Sequence, residues 1–249
     1  MTKRKIDDVL DFRSDFSPFL VHLTRNLEGG NNAKTALESI IYSGNLKAGH
    51  SLVSSASYGV NIGTVNGPDQ NKFFSAICFT ETPLNEIHCL LDVSGRKVEL
   101  EPYGLVFLKD CLRLKGVSPV LYLNNEQSDK AGVLQALCSL MQSHPSEAAE
   151  ILPLVSFFGS YVTPLGQTTP VNGKINFLWE REWRYPANRN VLPVDKSDVF
   201  LGICPHHEID YFENIFSEVS FVDPRRNLKW YATKLVAARK QHGLSCSVV

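Results

Sequence analysis

Six cysteines are present, but no two form a C-x-x-C pair, so the spacing of zinc knuckles and thioredoxin-type redox sites is missing. Most of them sit inside apolar stretches, which reads as buried free thiols in a reducing compartment. Charge of either sign is also lacking in surplus: 25 Lys and Arg stand against 26 Asp and Glu, a formal net charge of -1. Non-specific nucleic-acid binding runs on phosphate neutralisation, and this balance gives it no general support. No apolar run reaches the ~18 residues of a membrane span, and the N-terminal "MTKRKIDDVLDF" has no apolar h-region. The expectation is a cytoplasmic protein without a membrane segment. The G-x-x-x-x-G-K-[ST] phosphate loop, the G-x-G-x-x-G dinucleotide turn and the G-x-S-x-G nucleophile elbow do not occur. Their absence argues against P-loop, Rossmann and α/β-hydrolase chemistry.

What is present is an ordinary globular composition, 43% apolar and 20% charged, in 249 residues, enough for a sizeable core. The expectation is a single domain over 1–249. Strand signals are "PFLVHL" at 18–23, "FFSAICFTETP" at 73–83, "YGLVFLKD" at 103–110, "SPVLYLN" at 118–124, "KINFLWEREWRYP" at 174–186, "VFLGICP" at 199–205 and "EVSFVD" at 218–223. Helical spacing of Ala36, Leu37, Ile40 and Ile41 predicts a helix that stops at Gly44. Further helices are expected at 5–12, behind "FTETP", at 130–142, at 145–159 and over "HHEIDYFENIF", with a basic helical segment at about 225–243. Residues 49–71 read as a long glycine-containing loop. Strands and helices interleave irregularly, so the class is α+β: mixed or antiparallel sheets flanked by helices.

Four constellations bear chemistry-capable side chains. His22 and Thr24 alternate along one strand and so share a face; the plain reading is a core histidine bonded to backbone. In "WEREWRYP", Glu180, Glu182 and Arg184 fall on one strand face, with charges dense enough to require pairing if buried. The strand "ICFTETP" delivers Thr80, Glu81 and Thr82 at its end, with Thr82 placed to cap a helix that opens at Pro83. His206-His207-Glu208 follows Pro205 and lacks a second cluster at ligand spacing, so it reads as a helix start, and no metal is expected.

The order of these pieces resembles the ADP-ribosyltransferase fold: a strand with His-x-Thr, the helix "ALESIIYSGNL", a glycine-containing loop, the strand "AICFTE", and a late strand with a glutamate. More closely, the set "VHLTR", "ALESII", "SGNL", "CFTETP", "YGLVFLK", "PVLY" and "EREWR", spread over residues 18–186, resembles the AbiGi-type abortive-infection proteins of bacteria. The first resemblance implies NAD as substrate and an ADP-ribosyltransferase or NAD-hydrolysing activity. It places His22 and Thr24 on the nicotinamide-ribose side and Glu182 as the catalytic carboxylate. Physically, a carboxylate suits the positive charge that develops on ribose as the glycosidic bond breaks. Arg25 is a candidate for the pyrophosphate, Tyr58 for stacking on the nicotinamide ring, and Thr80 and Asn85 are both candidates for the family's middle position.

The second resemblance implies phage defence. It leaves open a non-catalytic antitoxin or sensor that binds a partner protein from an adjacent gene, or a nucleotide signal. A third reading, nucleic-acid binding, rests on Arg225, Arg226, Lys229, Lys234, Arg239 and Lys240 interleaved with Trp230 and Tyr231.

Overall fold

The computed structural model describes residues 15–26, 32–48, 76–93, 99–123, 136, 139–140, 143–144, 156–160, 177–186 and 191–244. Along these runs the strands are β1 (Phe19–Arg25), β2 (Asn45–Lys47), β3 (Ile77–Thr80), β4 (Leu100–Leu108), β5 (Ser118–Pro119), β6 (Leu121–Leu123), β7 (Phe158–Ser160), β8 (Glu182–Tyr185), β9 (Val191–Pro193), β10 (Val199–Ile203) and β11 (Phe221–Val222). The α-helices are α1 (Ala33–Ser43), α2 (His88–Leu91), α3 (Lys109–Leu114), α4 (Ile209–Ile215) and α5 (Ala232–Gln241). The class is α+β, with seven strands in mixed sheet and helices between them. The chain divides into two compact units: Met1–Gly44, Thr80–Leu114 and Val194–Val249 form one, Asn45–Phe79 and Lys115–Pro193 the other.

In the first unit the strand order is β11-β10-β4-β1. β4 pairs antiparallel with both β1 and β10, and β10 pairs parallel with β11. Thr80, the last residue of β3, lies opposite Val21. Every residue of β10 is buried, which is why "VFLGI" is continuously apolar rather than alternating. Phe212 of α4 stacks on Phe221 with ring centroids 5.3 Å apart, and Phe19 stacks on Phe200 at 4.3 Å. Helix α1 begins where the Asn32 side chain accepts the Thr35 N–H at 2.8 Å. It ends at Gly44, whose φ of 63° is the left-handed value glycine reaches without strain; its N–H donates to the Ile40 carbonyl.

The second unit holds β8 antiparallel to β5, with Ser118 opposite Arg184, and β3 as the other neighbour of β8. It also contains the antiparallel pair β2–β9 and the parallel pair β6–β7.

Four sequence expectations change. The strand expected over 118–124 divides into β5, which pairs with β8, and β6, which pairs with β7 in a separate sheet. "FLWE" at 177–180 is a 3-10 turn rather than strand, so Glu180 does not share a strand face with Glu182. Arg181 takes φ 45°, and this break lets the strand restart at Glu182. Residues 158–160, expected at the end of a helix, are strand β7, because Leu121, Tyr122 and Leu123 offer Phe158, Gly159 and Ser160 a parallel partner. Thr82 does not cap the turn after β3: Pro83 holds the cap position, and the Thr82 hydroxyl is 2.8 Å from that of Thr80. The expected helix at 5–12 and loop at 49–71 lie outside the described residues, as does most of 130–142.

At Gly104 the backbones of β1 and β4 approach closely. A Cβ there would collide with the His22 carbonyl oxygen and press on the Leu23 Cα at 3.1 Å, both backbone atoms that cannot swing aside. Gly104→Ala is expected to destabilise the protein by about 3 kcal/mol, read as a lower urea midpoint at unchanged slope.

Candidate functional site

In the first unit, β1 positions His22, Thr24 and Arg25. The β1–β4 register runs evenly from Phe19–Leu108 to Leu23–Gly104 and then jumps to Arg25–Leu100. Thr24 sits inside that irregularity, where carbonyl groups lose ladder partners. Its buried hydroxyl lies 2.8 Å from the Ala33 carbonyl and 3.1 Å from the Tyr103 carbonyl, so its single proton ties β1 to the start of α1 and to β4. Asn26 adds a second tie: its side-chain oxygen accepts from the Ala33 N–H, and its amide donates to Glu101, each at 2.9 Å. His22 and Arg25 are half-buried.

Thr80 is nearly buried, with a relative exposure of 9%, and its hydroxyl accepts the Thr82 N–H at 3.1 Å. The neighbouring Glu81 carboxylate is buried and accepts from Lys109 Nζ at 2.9 Å; Lys109 lies over the Phe16 ring. Residues 28 positions apart carry no spacing signal, so sequence alone does not find this pair.

Elsewhere in the same unit His206 opens a 3-10 turn after Pro205. Its N–H donates to Asp223 at 3.1 Å, and its ring nitrogen is 3.2 Å from the Tyr231 hydroxyl. Glu208 pairs with Lys34 at 3.2 Å, and Lys34 lies 4.5 Å from the Tyr211 ring centroid. Burial, and then the negative charge of Glu208, push the Tyr103 phenol up to about 12. Among the described residues no three of His, Cys, Asp and Glu converge to hold a metal.

In the second unit Glu182 opens β8. Both of its carboxylate oxygens are taken by one guanidinium: Arg184 Nε donates to Oε1 at 2.9 Å and Nη2 to Oε2 at 2.8 Å. The remaining nitrogen, Nη1, donates to the Ser156 and Phe158 carbonyls at 3.0 and 2.9 Å. The i, i+2 spacing puts acid and base on one strand face, and the pair is largely buried, 14% exposed at Glu182 and 6% at Arg184. The Glu182 N–H donates to the Tyr122 hydroxyl. Burial and the Glu182 charge together raise the Tyr122 phenol. They also raise the Cys78 thiol well above its usual range, burial first. Arg184 thus joins β8 to β7 through charge-assisted bonds. Tyr58 lies outside the described residues.

These parts define an α+β protein in which the charged side chains Glu182–Arg184 and Glu81–Lys109 are paired, with Arg184 also bonded to two backbone carbonyls. The family model for abortive phage resistance protein AbiGi, antitoxin, matches residues 69–198, and the chain belongs to that family. An antitoxin family implies a toxin as protein partner. No curated protein and no solved structure matches the chain. Among the described residues no helix is long and apolar enough to cross a membrane.

Removing one member of a buried ion pair strands the other. Arg184→Met is expected to destabilise by about 3–5 kcal/mol. Glu182→Gln belongs in the same range of about 3–5 kcal/mol, since it leaves the buried guanidinium without a counter-charge and turns an amide NH2 towards one of its two donors; urea unfolding measures both.

Burial also raises the Cys204 thiol, with the Glu208 charge adding to it. Raised thiols stay protonated in the native state while the unfolded chain ionises near pH 8.5, so their stabilisation is whole below that pH and falls as pH rises above it. Stability measured in reductant should therefore decline from about pH 8.5 upward. Alkylation at pH 8, mapped by peptide mass, should label exposed Cys89 well before Cys78 and Cys204.

Proposed function

We propose that this protein acts as the antitoxin of an abortive phage-resistance pair and neutralises its toxin by direct binding, without turnover of its own. The family match over residues 69–198 carries this reading. The chemistry of Glu182 agrees with it. A carboxylate held by both oxygens in a guanidinium fork has surrendered the negative charge that an oxocarbenium ion would need. Thr24 likewise spends its proton on two carbonyls of the fold.

A second reading keeps the enzyme: ADP-ribosyl transfer or NAD hydrolysis in phage defence, with Glu182 catalytic and His22, Thr24, Arg25, Tyr58 and Thr80 around NAD. It is favoured by one observation, that Glu182 is the first residue of a late strand and His22 lies on the first, as the resemblance to ADP-ribosyltransferases requires. Such an enzyme would release Glu182 from Arg184 when NAD binds.

One experiment separates the two. The products of the genes adjacent to this one are expressed singly to find the one that arrests growth, and that toxin is then expressed with wild-type protein or Glu182→Gln, whose folding is checked by thermal melting. The antitoxin reading expects both to restore growth and neither purified protein to consume NAD. A folded Glu182→Gln that fails to protect, together with NAD consumption by the wild type alone, would establish the enzyme instead.

A further inference from the structure

Residues 224–244 hold six of the chain's 25 Lys and Arg and none of its 26 Asp and Glu. They form a 3-10 turn, Leu228–Tyr231, that runs into α5. One side is anchored: Tyr231 and Ala238 are buried, and Lys234 bonds both Glu213 and the Phe221 carbonyl. The other side is open. Trp230 is 75% exposed and Val236 43% exposed, and Arg226 lies 5.9 Å from the Trp230 ring. Among the described residues Arg226, Lys229 and Lys240 have no carboxylate partner, and all three are exposed.

We infer that this face, centred on Trp230 and rimmed by Arg226, Lys229 and Lys240, is where the toxin docks, through an acidic surface with an apolar recess for the indole. The inference rests on the antitoxin reading and names its contact surface. An exposed tryptophan with a cation over its ring and further unpaired cations along the same segment has the make-up of a protein interface, an aromatic anchor with a polar rim. The sign is complementary to an acidic partner, since residues 224–244 contribute cations and no carboxylate.

A phosphate backbone is the lesser fit. Two of the six cations, Arg225 and Lys234, are already engaged by Asp92 and Glu213 of the same chain, which leaves too sparse a track of charge for a nucleic-acid strand. Residues 224–244 also lie outside the stretch matched by the family model. Such a surface can distinguish one toxin from another while the shared core stays the same.

The test uses the full chain, the growth-arresting toxin found by the expression screen above, and three variants: Trp230→Ala, Lys229→Glu with Lys240→Glu, and Lys47→Glu as an exposed control. Binding is measured by titration calorimetry at 50 and 300 mM salt. Both face variants should bind at least tenfold more weakly with unchanged melting temperature, the control should bind as wild type, and wild-type affinity should fall with salt. Undiminished binding by the face variants overturns the inference and leaves the antitoxin reading standing. A wild-type chain that does not bind the toxin overturns both. A 20-residue oligothymidine that binds wild type, but not the face variants, at 150 mM salt would make the surface a nucleic-acid site. Self-association abolished by the same substitutions would make it an interface between copies. Either result overturns toxin docking.

Discussion

The close approach of β1 to β4 at Gly104 governs the first unit. With no side chain at Gly104, the His22 carbonyl can sit against the strand, and five successive pairs lock in register from Phe19–Leu108 to Leu23–Gly104. The ladder then slips, and the slip leaves carbonyls that must find donors, since an unpaired buried carbonyl costs about 1–3 kcal/mol. Thr24 and Asn26 supply those donors and acceptors, and in doing so fix where α1 starts. β10 packs on the other edge of β4, and the aromatic stack of Phe212 on Phe221 closes over it. Much of the unit's geometry follows from one missing methyl group.

Buried charge plays the corresponding part in the second unit. Arg184 uses its planar fork twice, once to hold both oxygens of Glu182 and once to bind two carbonyls from the segment that leads into β7. Lysine could not do this, having a point charge without the fork. The pair is costly to desolvate, so its value lies in specifying one arrangement of β8 and β7 rather than in raw stability. The strained φ of 45° at Arg181, directly before Glu182, fits the same picture, because the pair over-determines where the strand must begin.

Sequence periodicity disclosed the elements whose environment is uniform. β10 is buried throughout and reads as an unbroken apolar run; α1 shows its apolar stripe, its Asn cap and its glycine stop. It failed where neighbours decide. Nothing in "FLWEREWRYP" announces that the first four residues coil into a 3-10 turn, because Phe, Leu and Trp suit a strand equally well. The tie between Thr24 and Tyr103 joins residues 79 apart, and that between Glu81 and Lys109 joins residues 28 apart; both depend on pairing that local pattern does not encode. Among the candidate site residues, Arg184 beside Glu182 was legible from their i, i+2 spacing, whereas the complete occupation of the carboxylate was not.

A motif can persist because the fold needs it as well as because a reaction does. Thr24 answers a break in hydrogen-bond pairing, Glu182 answers a buried guanidinium, and both duties exist whether or not a dinucleotide ever enters. The side chains that perform those duties lie inside the fold. The exposed residues of the face that carries Trp230 and its cations have no such duty: an indole 75% exposed contributes little to packing. Physical economy thus separates the two roles. Thr24, Glu182 and Arg184 are accounted for by structure, and an exposed indole beside cations is the kind of group a binding protein requires.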